Sequence, residues 1–311
     1  MSSVTLIESA KLAQDELVAG VIENIITVNR MFDVLPFDSI EGNSLAYNRE
    51  NALGDVIMAG VGTTFSGAGA GKSPATFTRV NSNLTTIMGD AEVNGLIQAT
   101  RSGDGNDQTA VQIASKAKSA GRKYQDMLIN GTGTNNEFAG LIQLCASTQK
   151  VDTGANGAAL SFAILDELMD LVVDKDGQVD YITMHSRTLR SYKALLRSLG
   201  GASVNEVVEL PSGAEVPAYS GTPIFRNDYI PTNQTKGTGG ATKTTIFAGT
   251  LDDGSRTHGI AGLTASQAAG IQIVDVGEAE DADQHIWRVK WYCGLALFSE
   301  KGLACADGIT N

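Results

Sequence analysis

Residues 106–130 read NDQTAVQIASKAKSAGRKYQDMLIN, and this stretch carries the strongest helical pattern of the 311-residue chain. Its apolar side chains, among them Ala110, Ala117, Tyr124 and Leu128, recur every three or four residues. That spacing places them on one stripe of an α-helix of about seven turns. The sequence therefore predicts one amphipathic helix, which is long for a globular domain of ordinary shape.

Both ends of this helix carry residues that favour a start and a stop. Asn106 or Asp107 can accept a hydrogen bond from a free backbone N–H of the first turn. Gly131 follows the last residue of the pattern, and glycine often closes a helix because it tolerates the left-handed conformation. The predicted helix therefore occupies residues 106–130.

Two segments upstream of this helix indicate strands, and a glycine-rich segment separates them. We interpret residues 44–50 as one strand, and residues 76–88 return to β-favouring side chains. Between them, residues 54–71 hold six glycines in eighteen positions, a density at which no rigid element forms. The sequence predicts a long two-stranded excursion over 42–89 with a glycine-rich tip. Further upstream, helical spacing over 5–28 predicts an amphipathic N-terminal helix.

Downstream of the long helix the sequence mixes helix and strand patterns, so the predicted fold class is α+β. In the final segment Trp287, Val289 and Trp291 alternate with polar side chains, as in a strand with one buried face. Predicted helices cover 161–174 and 186–199, a polar glycine-rich loop covers 232–243, and predicted strands cover 179–184, both sides of 211–213, 222–225, 244–248, 271–276 and 285–298.

The charge of the chain limits its partners. The formal net charge is −12 and the sequence pI is about 4.7. A protein that grips nucleic acid needs clustered lysine and arginine to neutralise phosphates, so this acidic balance argues against that class. The sequence shows neither a secretory leader nor an apolar run near the roughly 18 residues of a membrane span, so we expect no membrane partner.

The cysteines point to a reducing compartment. The chain has three cysteines, Cys145, Cys293 and Cys305, and no two of them have CxxC spacing. An odd number of cysteines cannot form a closed disulfide framework. A chain of this length can bury about three quarters of its unfolded surface. We therefore expect it to need neither disulfides nor metals for stability.

The segment Gly71-Lys72-Ser73 suggests a phosphate-binding loop but fails its spacing. A Walker A loop needs a glycine five positions before its second glycine, and Ser66 stands there. Such a loop also opens a helix, whereas the residues after Pro74 favour a strand. The sequence therefore predicts no nucleotide and no other cofactor.

Two acidic segments could be taken for metal sites. At 174–177 the glycine comes two residues too early for a calcium loop, and the closing glutamate is missing. Five further acids lie close together: Asp275, Glu278, Glu280, Asp281 and Asp283. Clustered carboxylates between strands usually form a solvated turn, so we expect no metal.

No set of catalytic residues assembles from the sequence. His185 could act as a base toward the Ser186 hydroxyl, but Ser186 is better explained as the N-cap of the helix that follows. The HExxH and GxSxG patterns of common hydrolases are absent. The sequence therefore indicates a protein that is not an enzyme.

Four short sequence segments lie before, at the end of, or after the long helix: 81–93 (NSNLTTIMGDAEV), 124–131 (YQDMLING), 138–141 (FAGL) and 287–295 (WRVKWYCGL). They follow the order of an extended arm, a β excursion, a spine helix, an α/β middle and a final long strand. In this order and spacing, the chain resembles the major capsid protein of tailed bacteriophages, with the Hong Kong ninety-seven-like fold. The resemblance covers essentially the whole chain.

The resemblance implies a plate-like subunit whose arms overlap its neighbours in a closed shell. It implies an N-terminal arm (1–43), an extended loop (44–89), a peripheral domain with the spine helix (90–145 and 284–311) and an axial domain (146–283). The implied function is structural. Copies of the chain would self-assemble into the icosahedral head that encloses the phage DNA genome.

The resemblance also implies partners and a place of action. These are further copies of the chain in hexamers and pentamers, a portal, separate scaffolding or decoration proteins, and double-stranded DNA enclosed without sequence-specific binding. No helical scaffolding segment precedes the arm, so we expect scaffolding to be a separate protein or to be absent. The implied location is the virion capsid, assembled in the host bacterial cytoplasm. The candidate inter-subunit contacts are Gly60, Gly67, Gly69, Gly71, Lys72, Arg187, Arg190 and Arg197.

Two kinds of residue motivate these contacts. The glycines let the loop backbone lie flat on a neighbour. Arg187, Arg190 and Arg197 lie near one face of a predicted helix, where they could meet phosphates or an acidic subunit; a solvated face is the alternative. Some relatives cross-link a loop lysine to a neighbour's asparagine, but Lys72 stands among glycines, so we expect a solvated, unreactive amine.

Two other functions stay open at this point. The first is an encapsulin-type shell of the same fold that encloses cargo enzymes, which the contents of purified particles would distinguish. The second is a soluble α/β enzyme, which would require a catalytic set that the sequence does not supply.

Overall fold

The computed structural model describes residues 30–64, 71–101, 107–174, 177–198 and 207–310. The predicted N-terminal helix over 5–28 lies outside these residues. The described helices are α1 (Gly95–Arg101), α2 (Gln108–Asn130), α3 (Leu141–Leu144), α4 (Phe162–Val173) and α5 (Ser186–Ser198). None of these helices has both the length and the apolar character that crossing a bilayer requires.

The strands form a five-stranded, an eight-stranded and a two-stranded sheet, so the predicted α+β class is confirmed. The described strands are β1 (Phe37–Ile40), β2 (Ser44–Ala52), β3 (Thr76–Asn83), β4 (Thr85–Asn94), β5 (Ala158–Ala159), β6 (Tyr181–Met184), β7 (Val207–Glu209), β8 (Glu215–Tyr219), β9 (Thr222–Arg226), β10 (Gln234–Thr235), β11 (Ala241–Gly249), β12 (Ile260–Ala265), β13 (Gln272–Glu278), β14 (Gln284–Leu297) and β15 (Leu303–Thr310). Short 3-10 turns lie at Arg30–Asp33, Ser147–Gln149 and Glu300–Gly302.

The long helix α2 forms where the apolar spacing predicts it. Asp107 caps its start, since the Asp107 side chain accepts a hydrogen bond from the Thr109 backbone N–H at 2.9 Å. Gly131 closes its end by donating its backbone N–H to the Met127 carbonyl oxygen at 2.9 Å. The apolar stripe is fully buried only from Ala120 onward, so the second half of the helix carries the packing. Asn106, the other candidate cap, lies outside the described residues.

Strand β14 organises the five-stranded sheet. It pairs antiparallel with β4 over ten residues on one side, while β13 and β12 pair with its first and second halves on the other. The predicted alternation is confirmed over 288–292, where Val289 and Trp291 are buried and Lys290 is not, whereas Trp287, predicted on the same buried face, stays partly exposed. From Cys293 onward both faces are buried, because Leu295 on one face packs in the core that contains Tyr124, while Ala296 on the other face packs in the small core at the base of the β2–β3 hairpin.

The eight-stranded sheet has the order β5-β15-β11-β6-β9-β8-β7, and β10 pairs with β11. Its central strand β6 is buried at every position, as predicted. Helices α4 and α5 cover this sheet with Leu165, Leu168, Tyr192 and Leu196 in a shared apolar core. Ser161 caps α4 by accepting the Ile164 N–H.

A cluster of aromatic rings joins α2 to β14. The ring of Tyr124, which is fully buried, lies 4.6 Å from that of Trp291, 5.4 Å from Phe138 and 5.8 Å from Phe37. Its hydroxyl donates a hydrogen bond to the Gly294 carbonyl at 3.3 Å. Burial raises the pKa of Tyr124, because a phenolate would lose its hydration there. Burying one such ring stabilises the fold by about 1.5–3 kcal/mol.

The predicted two-stranded excursion is confirmed for β2 and β3, which pair antiparallel from Ser44 opposite Asn83 to Ala52 opposite Thr76. The predicted second strand, 76–88, is wrong in one respect: the structure divides it at Leu84. After that residue the chain becomes β4 and pairs along β14 instead of continuing the hairpin. Ten residues of β14 pair with β4 along this edge. A partner strand so distant in the chain cannot be recognised from the local sequence.

Besides the two-residue strands β5 and β10, three strands were not predicted from the sequence: β1, β12 and β15. They are rich in alanine, glycine or polar residues, such as LACADGIT in β15, and their β-propensity is low. Each is held by pairing with distant strands: β1 with β12, β12 with β14, and β15 with β11. The predicted loop 232–243 also contains β10 and the start of β11.

The turn after α2 provides a test of how tightly the spine helix is closed. A Cβ atom on Gly140 would lie 2.6 Å from the Met127 carbonyl oxygen and 2.7 Å from the Gly131 nitrogen. Both are backbone atoms, which cannot rotate away. We expect Gly140→Ala to lower the free energy of unfolding by about 1–3 kcal/mol, the usual cost of overpacking. Urea unfolding of the purified subunit, followed by circular dichroism, measures this change.

Gly121→Ala in the middle of α2 is the matched control. A Cβ atom at Gly121 would meet no atom within 4 Å. Alanine is favoured over glycine in a helix by about 1 kcal/mol, so this variant should be at least as stable as the wild type. Equal urea midpoints for Gly140→Ala and the wild type would contradict the close packing of this turn.

Candidate functional site

The base of the β2–β3 hairpin is fastened to the body of the subunit by Arg49. Its guanidinium donates hydrogen bonds to the main-chain carbonyls of Phe298 at 3.0 Å and Leu297 at 2.7 Å, and to the Glu300 carboxylate at 2.6 Å. The Arg49 side chain is only 15% exposed, so its hydrogen bonds to the two main-chain carbonyls are partly shielded from water, while the Glu300 carboxylate stays exposed. The hairpin therefore leaves the body from the end of β14.

Tyr47 is a second anchor on the same face of β2. Its hydroxyl donates to the Leu297 carbonyl at 2.6 Å, and its ring lies 5.2 Å from that of Phe298. Leu45, two residues earlier, packs against the same small core as Tyr47. Residues two apart on a strand share a face, so Leu45, Tyr47 and Arg49 together hold the base.

Beyond β2 the hairpin presents apolar side chains that no other described residue covers. Leu53 and Val56 are more than three quarters exposed, and Met58 and Val61 are as exposed as in an extended chain. We call these four residues the tip surface. A run of large exposed apolar side chains marks an interaction site, because water-exposed apolar area is costly unless a partner buries it.

A few backbone contacts keep the two arms of the tip together. The Asp55 N–H donates to the Ser73 carbonyl at 2.9 Å, and the Gly71 N–H donates to the Asp55 carboxylate at 3.2 Å. Gly71 has a φ of +67°, a conformation that favours glycine. The tip is thus closed across its neck although its apolar side chains point to solvent.

The structure locates some of the predicted contact residues in this tip. Gly60 donates its N–H to the Thr63 hydroxyl at 3.0 Å, and Lys72 is exposed, with no ion pair to any described residue. Gly67 and Gly69 lie outside the described residues. After Lys72 the chain enters β3 at Thr76, which confirms the predicted strand and leaves no helix to hold phosphate.

The basic residues of α5 do not act as one stripe. Arg187 is partly buried and its guanidinium donates to the Thr242 carbonyl at 2.7 Å, so it joins the helix to β11. Arg190, Lys193 and Arg197 are exposed, and Arg197 also donates to the Lys193 carbonyl at 3.1 Å. Of the three candidate arginines, two therefore remain available to a partner.

The start of α5 corrects the predicted cap. His185, and not Ser186, caps this helix: its ring Nδ1 accepts the Arg187 N–H at 3.0 Å, and its carbonyl accepts the Leu189 N–H at 3.0 Å. Ser186 is already the first helical residue. Because the Nδ1 lone pair is occupied, His185 cannot take a proton from the Ser186 hydroxyl, 3.4 Å away. The pair is structural.

The charges beside this cap favour the same conclusion. Burial lowers the pKa of His185, so the imidazole is neutral at physiological pH. Burial alone would raise the pKa of the Asp228 carboxyl, but hydrogen bonds from Arg226 and Ser186 outweigh it and hold that pKa below its usual value. An ionised Asp228 next to the Ser186 N–H stabilises the positive end of the helix dipole.

A second exposed apolar surface lies on β13. Ile271, Ile273, Val274 and Val276 are each between about a third and a half exposed, and we call these residues, which lie on both faces of this edge, the edge surface. Among the described strands β13 pairs with β14 alone, so no described strand bonds to the N–H and C=O groups of its other edge. Such an edge can pair with another chain. The sequence predicted this strand but not its exposure, which depends on its place at the sheet edge.

The acidic segments do not form a metal site in the described part of the chain. Asp275 pairs across the sheet with His285, whose Nε2 lies 2.7 Å from the Asp275 carboxylate. No three His, Cys, Asp or Glu side chains converge on a common position among the residues that the structure describes. Lys175 and Asp176 of the other acidic segment lie outside those residues.

A cavity of about 480 Å³ opens between β11, β15 and the segment after α3. Lys236 and Asp307 pair across it at 2.5 Å, and Lys150 lies 4.0 Å from the same carboxylate. Lys243 is fully buried and donates to the Lys236 carbonyl at 2.9 Å. The Cys305 thiol also forms part of the described lining. Sequence reasoning missed this cavity, because its lining comes from four separate segments.

Comparison with protein families identifies one match. A family model described as SU10 major capsid protein matches residues 59–222, which is more than half of the chain. The matched part runs from the tip of the hairpin through α2 to β9. No curated protein is similar enough in sequence to count as a match.

Solved structures share this fold at low sequence identity. The holo-SrpI encapsulin complex from Synechococcus elongatus PCC 7942 has a TM-score of 0.71 at 17% identity, over 99% of this chain and 97% of that one. The capsid of a native GTA particle has a TM-score of 0.64 at 11% identity, and Microbacterium phage Oxtober96 has 0.61 at 13%, each over 100% of both chains. The Hong Kong ninety-seven-like fold expected from the sequence is confirmed.

The anchoring role of Arg49 can be tested by hydrogen exchange. Arg49→Ala removes hydrogen bonds to two main-chain carbonyls and one carboxylate, each worth about 1.5–3 kcal/mol when charged. The amides of β2 and β3 should then exchange at least about tenfold faster, because the hairpin opens more often. Mass spectrometry of deuterated subunits measures this rate, and the amides of β6 should keep theirs.

Arg79→Ala is the control for the loss of charge. Arg79 stands opposite Asn48 on the same hairpin and is exposed, with no bond to any described residue of the body. Its removal should leave exchange in β2 and β3 unchanged. Equal exchange rates in the Arg49→Ala and Arg79→Ala variants would contradict the anchor.

Proposed function

The chain belongs to the SU10 major capsid protein family, and we propose that its copies close into the icosahedral head shell of a phage around double-stranded DNA. The role of the family is structural. The observation that carries the proposal is the tip surface, a set of exposed apolar side chains on a hairpin that Arg49 anchors at its base. A neighbouring copy of the same chain is the partner that a closed shell supplies.

The hydrophobic effect supplies the driving force for such a contact. Burying Leu53, Val56, Met58 and Val61 on a neighbour would remove four large apolar side chains from water, at about 1.5–3 kcal/mol each when burial is complete. In a closed assembly every copy gives and receives the same contact, so this gain is repeated in every subunit. Gly60, Gly67, Gly69, Gly71 and Lys72 are our candidate contact residues in this loop.

Charge complementarity supports a further contact. The chain carries a net charge of −12, while Arg190 and Arg197 are exposed on α5. We propose that these arginines face acidic side chains of an adjacent copy. Arg187 contributes indirectly, because it fastens α5 to β11. The assignment of an N-terminal arm (1–43), extended loop (44–89), peripheral domain (90–145 and 284–311) and axial domain (146–283) remains our prediction.

The acidic charge also suits a wall around DNA. Phosphate and carboxylate repel one another, so the shell would enclose the genome without gripping it. We propose hexamers and pentamers as the units of the shell, and a portal and separate scaffolding or decoration proteins as partners. Assembly would occur in the host bacterial cytoplasm, before the capsid becomes part of the virion.

An encapsulin-type shell is the alternative, since the holo-SrpI encapsulin complex has the same fold over 99% of this chain. The two kinds of shell differ in what they enclose. A phage head contains nuclease-protected DNA, whereas an encapsulin contains cargo protein. The absorbance ratio and a denaturing gel of purified particles distinguish them.

The proposal predicts that assembly depends on the tip surface. The double variant Val56→Asp/Met58→Asp places two charges where a neighbour would bury apolar side chains, and desolvating an unpaired charge costs several kcal/mol. We expect closed particles to disappear from sedimentation profiles and negative-stain images. Circular dichroism of the subunit should stay unchanged, because neither side chain touches the core.

The matched control is Val56→Ile/Met58→Leu, which keeps the surface apolar and should still form particles. If the aspartate variant formed particles at the wild-type yield, that result would contradict the proposal that the tip surface is an interface between subunits. An unfolded aspartate variant would instead mean that these residues belong to the core of the subunit.

A further inference from the structure

Two of the three cysteines meet in the interior of the subunit. Cys145 follows α3, and Cys305 lies in β15, 160 residues later in the chain. Their sulfur atoms are 2.6 Å apart, and both side chains are buried. The sequence alone gave no reason to pair them, because no CxxC spacing connects them.

Backbone contacts on both sides hold the two cysteines in this position. The Cys145 N–H donates to the Leu141 carbonyl at 3.1 Å, which ends α3. A few residues later Lys150 forms a β-bridge with Cys305, and the Val151 N–H donates to the Cys305 carbonyl at 3.0 Å. Because the main chain is fixed near both residues, the sulfur atoms meet without any movement of the fold.

We propose that Cys145 and Cys305 are a site of disulfide formation in the folded subunit, with a small peroxide as the oxidant. A thiolate at Cys145 attacks one peroxide oxygen, which forms a sulfenic acid and releases hydroxide. The Cys305 thiol then attacks the sulfenic sulfur, and the S–S bond forms as the oxygen leaves as water. In total the two thiols lose two protons and two electrons, and one hydrogen peroxide becomes two water molecules.

The surroundings of Cys145 favour the first step. The Cys305 thiol can donate a hydrogen bond to a thiolate at Cys145, and this lowers the pKa of Cys145 even though burial opposes it. The positive charge of Lys150 lowers it further. Since the thiolate is the reacting form, the pair is poised for oxidation although it is buried.

The cavity beside β15 provides the oxidant's way to the cysteine pair, because the Cys145 sulfur lies 2.6 Å from the Cys305 sulfur that lines the cavity. Cys305 is part of its lining, together with Lys150, Lys236 and Asp307. Its volume of about 480 Å³ admits a small peroxide, while a bulky disulfide reagent would have to enter past the charged side chains. We therefore expect peroxide to react and large thiol reagents to react slowly in the folded protein.

The bond would fasten the segment after the spine helix to the inside of the eight-stranded sheet. It would close a loop of 160 residues, and a cross-link across so long a loop restricts the unfolded chain strongly. Oxidation should therefore raise the unfolding temperature of the subunit by several degrees. This inference concerns the folded subunit and does not rest on shell assembly.

Cys293 provides a matched control in the same molecule. It is also buried, and burial raises its pKa to about 12, so it remains a thiol. The Thr85 side chain lies beside it, and neither of the other two sulfur atoms bonds to it among the described residues. A Cys293→Ser subunit should respond to peroxide as the wild type does.

The experiment treats the folded, reduced subunit with hydrogen peroxide and then counts thiols after denaturation. The wild type and Cys293→Ser should each lose two thiols and become about 2 Da lighter, and a reductant should restore both. Proteolysis without reductant should yield one peptide pair joined through Cys145 and Cys305. Cys145→Ser and Cys305→Ser should show neither the joined pair nor the rise in unfolding temperature.

The wild-type measurements decide the proposal even where a serine variant fails to fold. Three titratable thiols after peroxide treatment would overturn it, and so would added oxygen on single cysteines without a joined peptide pair. A joined pair that includes Cys293 would also overturn it, because that result requires a different approach of the sulfur atoms.

Discussion

The packing of Tyr124 on Trp291 holds the spine helix against β14, and the rest of the subunit depends on this contact. The two rings lie 4.6 Å apart in a buried aromatic cluster, and the Tyr124 hydroxyl bonds to the backbone of β14 itself. That strand pairs with β4 on one edge and with β12 and β13 on the other. Its end accepts the hydrogen bonds of Arg49, and the chain then continues into β15 of the second sheet. One strand thus aligns the helix, both large sheets and the hairpin.

In this arrangement the base of the hairpin is anchored, and the tip of the hairpin is exposed. The hairpin is held at its base by Tyr47 and Arg49, whereas its tip carries apolar side chains that the described part of the same subunit leaves uncovered. A surface of this kind is useful when many copies meet in one geometry, because the anchored base fixes where the tip can reach. The net charge of −12 opposes that meeting, so apolar burial and local pairs must outweigh a repulsion that salt screens.

Much of the architecture could be predicted from the sequence because its signals are local. The stripe of α2, the cap at Asp107, the strands on either side of the glycine-rich tip and the buried strand β6 all follow from spacing and propensity. The strands β1, β12 and β15 could not be predicted in this way, because pairing with distant strands outweighs their weak local preference. The cap of α5 was assigned one residue too late, since a histidine ring nitrogen replaced the expected serine hydroxyl.

The sequence by itself determined the helix stripe, the glycine-rich tip, the acidic charge and the absence of recognisable catalytic spacing, because each of these is a property of neighbouring residues or of composition. Only the tertiary structure decided which surfaces stay uncovered. The tip surface and the edge surface are exposed because of where their strands lie relative to β14. The meeting of Cys145 with Cys305 is likewise a tertiary fact, since 160 residues separate them and only the pairing of β15 brings them together. The local sequence determines which helix, strand or loop each segment can form, and the packing of distant segments determines which side chains come into contact.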